Sequence, residues 1–217
     1  MGVIYMKILN FGSLNIDYVY SVDHFVQKGE TISSSQMNIF SGGKGLNQST
    51  ALGCAGAQVF HAGRIGKGGE FLVEQLKEAG VNTDLVVLDS QCSTGHAIIQ
   101  NDAEGDNCIL LYGGANQRIT KEQIDATLDQ FDAGDYLVLQ NETSNLPYLM
   151  EKAAEKQMKI VLNPSPMDEK IKALPLDKVT LFFVNEIEAA QILGQKELES
   201  TDVGPSSTET APAKNWV

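Results

Sequence analysis

The stretch SGGKGLNQSTALGCAGAQVFHA, residues 41–62, decides how this chain folds. Two adjacent glycines open a segment without Pro that runs to Cys54 and breaks at Gly56, so 43–54 reads as a helix. Residues 58–62 (QVFHA) follow as a short apolar strand. Working outward, 7–11 (KILNF) is a strand before that helix, and 69–79 (GEFLVEQLKEA) is an amphipathic helix stopped by Gly80. Downstream the alternation continues with a helix at 121–131 (Thr120 as N-cap), a strand at 136–139, a helix at 145–156, strands at 160–162 and 181–184, and a helix at 186–193. Strand and helix in turn predict an α/β fold in three layers, a mostly parallel sheet with helices on both faces.

Segments 18–22, 33–39 and 95–112 do not fit the alternation. They read as a small, partly exposed sheet beside the main one. The end of the chain, from residue 195, is rich in Ser, Thr, Glu and Pro. It reads either as a linker or as the start of a truncated remainder, in which Ser207 or Thr210 caps a new helix. The expected domain is therefore 1–194, with 195–217 outside it.

Composition narrows the function. The chain has 217 residues, 42% of them hydrophobic and 20% charged, with a net charge of −12. Phosphate backbones and anionic membranes need clustered Lys and Arg, so neither nucleic acid nor a membrane is the expected partner. Cys54, Cys92 and Cys108 are too few and too scattered for a disulfide framework, and they read as buried small hydrophobes. No CxxC or HExxH occurs, which argues against zinc. The first residues lack a signal-peptide pattern, and no apolar run approaches the roughly 18 residues of a membrane span. The cytoplasm is the expected compartment.

In open α/β sheets, ligands bind beyond the carboxyl ends of the strands. Polar residues fall at those exits: Asn15 and Asp17 after the first strand, Gln140, Asn141 and Glu142 after 136–139, Asn163 after 160–162, and Asn185 after 181–184. The helix opening at Gly43 lets a ligand approach the backbone, and its free N–H groups are expected to donate to hydroxyl or phosphate oxygens. Gly43, Lys44 and Asn47 share one face of it. Nucleotide motifs fail: no Gly-Lys pair is followed by Ser or Thr, and a GxGxxG started at Gly43 meets Gln48.

GSLNID (12–17), SGGKGLNQSTALGCAGAQVFHAGRIGKGGEF (41–71), GGAN (113–116), LQNE (139–142), LNPSP (162–166) and VNEIEA (184–189) stand in one order. Together they resemble the ribokinase-like (phosphofructokinase-B) carbohydrate kinases over residues 6–194, with GSLNID and GGAN similar to the ribokinase branch. The resemblance implies a ribokinase-like fold with a lid sheet from about 18–39 and 95–112 that pairs two subunits in a homodimer. It implies ATP-dependent phosphorylation of a small sugar, D-ribose to ribose 5-phosphate, with ATP, Mg2+ and a monovalent cation such as K+. Asn15, Asp17, Gly43, Lys44, Asn47 and Glu142 would bind the sugar. Asn185 would lie near the triphosphate, and Glu188 would hold magnesium through water.

The family's GAGD-type loop, which supplies the catalytic base and the anion hole, does not occur in these 217 residues. No catalytic residue is therefore expected in this chain, whose C-terminal part the resemblance implies to be missing. The other expectations are a non-catalytic sugar-binding fragment, or a kinase of another sugar, sugar phosphate or nucleoside.

Overall fold

A computed structural model describes residues 6–194. Its contacts divide the chain after Phe183 into two units. In chain order the first unit holds β1 (Ile8–Phe11), β2 (Asn15–Ser21), β3 (Gln36–Gly42), α1 (Lys44–Cys54), β4 (Val59–Lys67), α2 (Glu70–Glu78), β5 (Asn82–Ser93), β6 (Gly95–Asn101), β7 (Asn107–Tyr112), α3 (Lys121–Leu128), β8 (Tyr136–Gln140), α4 (Leu146–Glu155), β9 (Lys159–Asn163) and β10 (Val179–Phe182). The described part of the second unit is α5 (Glu186–Leu193), and the expectation for 195–217 lies outside the described residues.

Six strands form a parallel sheet in the order β10-β9-β8-β1-β4-β5. The chain leaves β1 toward β4 and β5, then returns to add β8 on the other side of β1. The carboxyl ends of β1 and β8 are thus the place where the winding reverses, and an open sheet of this kind has its crevice there. Alternate residues of each strand serve opposite faces. Leu9, Phe11, Leu137, Leu139, Ile160 and Leu162 meet Ile124, Leu128, Leu149 and Met150 of α3 and α4. On the other face Val59 and Ile65 meet Leu46 of α1 and Leu72 and Leu76 of α2. Further along that second face, Ile8, Tyr136, Val138, Val161 and Phe183 line an apolar cavity of about 390 Å³ with Ala51 and Leu52 of α1.

The second sheet has the order β3-β2-β6-β7 and contains the three segments that broke the alternation. β2 pairs antiparallel with β3 and parallel with β6, and β6 pairs antiparallel with β7.

Several expectations are corrected. β2 begins at Asn15 and β3 ends at Gly42 because Asn15 pairs with Gly42, so this sheet reaches back to the first strand's exit. β4 runs past Ala62 to Lys67 through Gly63 and Gly66, which sit inside the strand rather than ending it. A Cβ on Gly63 would stand 2.7 Å from the Gly12 carbonyl oxygen, so close backbone approach excludes a side chain there. β5 was not anticipated at all. α3 stops at Leu128, three residues short of Phe131, and Thr120 caps it by accepting from the Gln123 amide at 3.2 Å. β10 lies at 179–182, not 181–184. Cys54 and Cys108 are exposed and Cys92 is half-buried, so the cysteines are not core hydrophobes.

Candidate functional site

β1 is apolar on one face and ends in Gly12-Ser13-Leu14, over which the first turn of α1 is pressed. A Cβ added to Gly12 would stand 2.6 Å from Gly45 Cα, and one added to Gly45 would stand 2.6 Å from Gly12 Cα. Glycine at both positions is what lets the strand exit and the helix start touch. Gly43, the residue before α1, has φ 95°, a conformation that L side chains rarely adopt.

An α-helix begins with four N–H groups that lack partners in the helix. In α1 three of them are taken. Lys44 N donates to Glu142 Oε2 at 3.0 Å, Gly45 N to Ser13 Oγ at 3.1 Å, and Leu46 N to the Ser13 carbonyl at 2.9 Å. This corrects the expectation that these groups are free for a ligand. Ser13 Oγ donates in turn to Glu142 Oε2, and Lys44 Nζ reaches Glu142 Oε1 at 3.2 Å. The Glu142 carboxylate is therefore seated on the positive end of α1, where an anion is favoured. Each hydrogen bond to such a charged group contributes about 1.5–3 kcal/mol. Glu142 is further fixed through its backbone, whose carbonyl accepts from Gln117 Nε2 at 2.8 Å.

Asp17 enters the same place from β2. Its carboxylate lies flat against Gly42, directly where a side chain at 42 would stand. Burial raises the Asp17 pKa above its ordinary value near 3.8, and the Glu142 charge raises it further, while Lys44 opposes both. Asp17, Glu142 and Lys44 thus share one electrostatic neighbourhood although they come from three separate elements.

Asn15 is buried beside them, and its Oδ1 accepts from Asn116 Nδ2 at 2.8 Å. Asn116 also accepts from the Leu14 amide at 3.0 Å and donates to the Leu14 carbonyl at 3.2 Å, so it clamps the strand exit as a third chain segment would. Asn47 lies one turn into α1. It is exposed, its backbone N–H donates to the Gly43 carbonyl at 3.0 Å, and its side chain makes no hydrogen bond among the described residues. Ser13, Asn116 and Gln117 were not singled out from the sequence. Ser13 and Asn116 belong to the GSLNID and GGAN stretches, which was the available signal.

Asn185 and Glu188 stand in the second unit and cap α5 reciprocally. Asn185 Oδ1 accepts from Glu188 N at 2.8 Å, and Glu188 Oε2 accepts from Asn185 N at 3.1 Å. Among the described residues no group of three or more His, Cys, Asp or Glu side chains is placed to hold a metal ion, and no helix is long and apolar enough to cross a membrane.

Near the winding reversal, then, two carboxylates and an ammonium gather beside the glycine backbone that leads into α1. Carboxylate oxygens accept from hydroxyls and the ammonium donates, a set suited to a small polyol.

Known proteins share this sequence pattern and fold. The chain matches the pfkB family carbohydrate kinase pattern over residues 6–212. Ribokinase of Staphylococcus aureus is 34% identical over 199 residues, covering 88% of this chain and 64% of that protein. The crystal structure of ribokinase from Cryptococcus neoformans in complex with ADP superposes with a TM-score of 0.73 at 36% identity, covering 88% of this chain and 63% of that one. Arabidopsis thaliana ribokinase complexed with ribose and ATP gives a TM-score of 0.76 at 25% identity, with 88% and 64% covered. The chain thus spans under two thirds of the length of these relatives. With a family match across nearly its whole length, this chain belongs to the pfkB family of carbohydrate kinases.

Proposed function

We propose that the whole protein is an ATP-dependent kinase of a small sugar, D-ribose, yielding ribose 5-phosphate. The observation that carries this reading is the meeting of Asp17, Lys44 and Glu142 at the carboxyl ends of β1 and β8. In it Asp17 accepts from two sugar hydroxyls, Glu142 from a hydroxyl near the reacting end, and Lys44 and the exposed Asn47 amide donate. Gly43 leaves room for the sugar against the backbone. Asn15, with Oδ1 given to Asn116, offers its Nδ2 donor. The S. aureus, C. neoformans and A. thaliana relatives are named ribokinases, and the last was crystallised with ribose and ATP.

ATP and magnesium enter the same reading. Glu188 spends Oε2 on the Asn185 amide and keeps Oε1, an oxygen donor of the kind a hard magnesium ion takes through water. Asn185 would lie near the triphosphate. Bound magnesium would neutralise phosphate charge. No residue of this chain is assigned as catalytic base, and a K+ site is placed in no described residue.

The proposed assembly is a homodimer through the four-stranded sheet. All six residues of its edge strand β7 are exposed, with Ile109 at 51%, Leu110 at 66% and Leu111 at 53%. An apolar edge strand of this kind invites pairing with a second copy. The proposed compartment is the cytoplasm. A second reading is that these 217 residues bind a sugar without phosphotransfer.

Calorimetry tests the assignment. Asp17→Ala should abolish D-ribose binding in the whole enzyme, and unchanged affinity would refute the role of that carboxylate. A coupled assay for ADP release on ribose addition separates the kinase from the binding module.

A further inference from the structure

Beneath the site lies a set of buried polar side chains that the proposed reaction does not use. Asn10, Ser49, His61 and Gln140 have no exposed surface, and they occupy the α1 face of the central sheet and the helix above it. Polar groups so buried are costly unless they pair. These pair in series. Gln140 Nε2 donates to Gln48 Oε1 at 2.7 Å and to Asn10 Oδ1 at 2.9 Å. Asn10 Nδ2 donates to the Gly45 carbonyl at 2.8 Å and to Ser49 Oγ at 2.9 Å. Ser49 Oγ meets His61 Nδ1 at 2.7 Å.

The series has a direction. Ser49 Oγ accepts from Asn10 and has one proton to give, and His61 Nδ1, 2.7 Å away, is its acceptor in the tautomer protonated on Nε2. His61 then carries its own proton on Nε2, which faces the Gly12 backbone without reaching full hydrogen-bond geometry. Burial holds the His61 pKa down to about 4, so the ring stays neutral and the order is kept.

Two members of the series reach the two turns that build the site. Asn10 binds the carbonyl of Gly45, and Gln140 Oε1 stands 2.5 Å from where a Gly12 Cβ would be. Gly12 leads into Ser13, and Lys44 and Gly45 form the first turn of α1. Those are the groups that seat Glu142 and bring Lys44 toward Asp17. We propose that Asn10, Ser49 and His61 are positioning residues of the sugar site. Through the one-way series Asn10 to Ser49 to His61, they fix the spacing between the β1 exit and the start of α1. The identity of the ligand rests on the reading above; the positioning itself does not.

The test compares Ser49→Ala with Leu76→Ala in the 217-residue chain. Leu76 is a fully buried α2 residue on the same face of the sheet, and its truncation serves as a destabilising control. In Ser49→Ala, amide exchange at Lys44, Gly45 and Leu46 should rise about tenfold above the change at core amides, because local opening is read residue by residue. In Leu76→Ala these three should move only with the core. Ribose affinity of the folded protein should fall about tenfold in Ser49→Ala, since a small misplacement of binding groups has effects of that order or more. It should stay unchanged in Leu76→Ala. Nitrogen NMR of the imidazole should show His61 neutral and protonated on Nε2 in the unsubstituted chain. A proton on Nδ1, or unchanged exchange at the three amides in Ser49→Ala, overturns the proposal. Loosened amides in a chain that never bound ribose would uphold the positioning and sink the sugar reading alone.

Discussion

The two faces of the central sheet are built from the same strands and do different work. Toward α3 and α4 the strands present Leu9, Phe11, Leu137, Leu139, Ile160 and Leu162, all without exposed surface. Toward α1 the intervening positions present Asn10, His61 and Gln140, equally buried but bonded in sequence to Ser49 and Gln48. One face is held by area removed from water, which is non-directional. The other also buries Val59, Ile65, Leu46, Leu72 and Leu76, and adds hydrogen bonds, which fix distances and angles. The turn that carries Ser13 and the helix start that carries Lys44 are therefore tied to the directional face. Both faces contribute apolar burial, and the geometry of the site is tied to the one that also carries the hydrogen-bonded series.

Two substitutions should separate these contributions. On the apolar face, Leu137→Ala removes a fully buried side chain and should cost about 2–5 kcal/mol in urea unfolding. The folded fraction should bind sugar as before, because Leu137 packs in the core cluster with α3 and α4, on the face away from α1. A matching loss of affinity in the folded protein would mean that the two faces are not independent. On the other side, Gly45→Ala places a Cβ within contact range of the Ser13 amide nitrogen and 2.6 Å from Gly12 Cα. Backbone cannot step aside as a flexible side chain can, so overpacking should cost about 1–3 kcal/mol. Here the smaller stability loss should come with the larger loss of sugar affinity, measured by calorimetry, because the helix start must move off Ser13 and Glu142.

Much of the first face was legible in the sequence. KILNF, YLVL and KIVL are apolar runs, and runs of that kind in alternation with helices mean a parallel sheet. The glycine-led start of α1 and the polar exits at Asn15, Asp17 and Glu142 were legible too, because helix starts and strand exits are local. β5 was not. It is an edge strand of the main sheet with much of its length exposed, and its register against β4 shifts twice, so no clean period of two survives in NTDLVVLDSQCS. Nor was the length of β4 legible, since Gly63 and Gly66 read as breakers until the neighbouring backbone is known to press on them. The capping of α1 joins Lys44 to Glu142 across 98 residues, and Asn116 clamps Leu14 across 102. Pairings of that range depend on sheet order, which no local pattern encodes.

The smallest expected effect bears on Asp17, the carboxylate that belongs to the site and to neither packed face. Burial and the Glu142 charge raise its pKa in the folded protein, so the folded state holds its proton more tightly than the unfolded chain does. An acid with a raised folded pKa opposes folding wherever it is ionised. That penalty is full above the raised value, shrinks as pH falls through it, and is gone below the ordinary value near 3.8. Asp17→Asn keeps the shape and drops the charge. It should therefore unfold at a higher temperature than the unsubstituted protein at neutral pH, with the difference closing as the pH is lowered. Sugar binding should be lost at every pH. A variant no more stable than the parent at neutral pH would show that Lys44 already offsets both the burial and the Glu142 repulsion. In that case the carboxylate would be held without strain, and the cost of keeping a polyol site open would have to lie in the glycines beneath it.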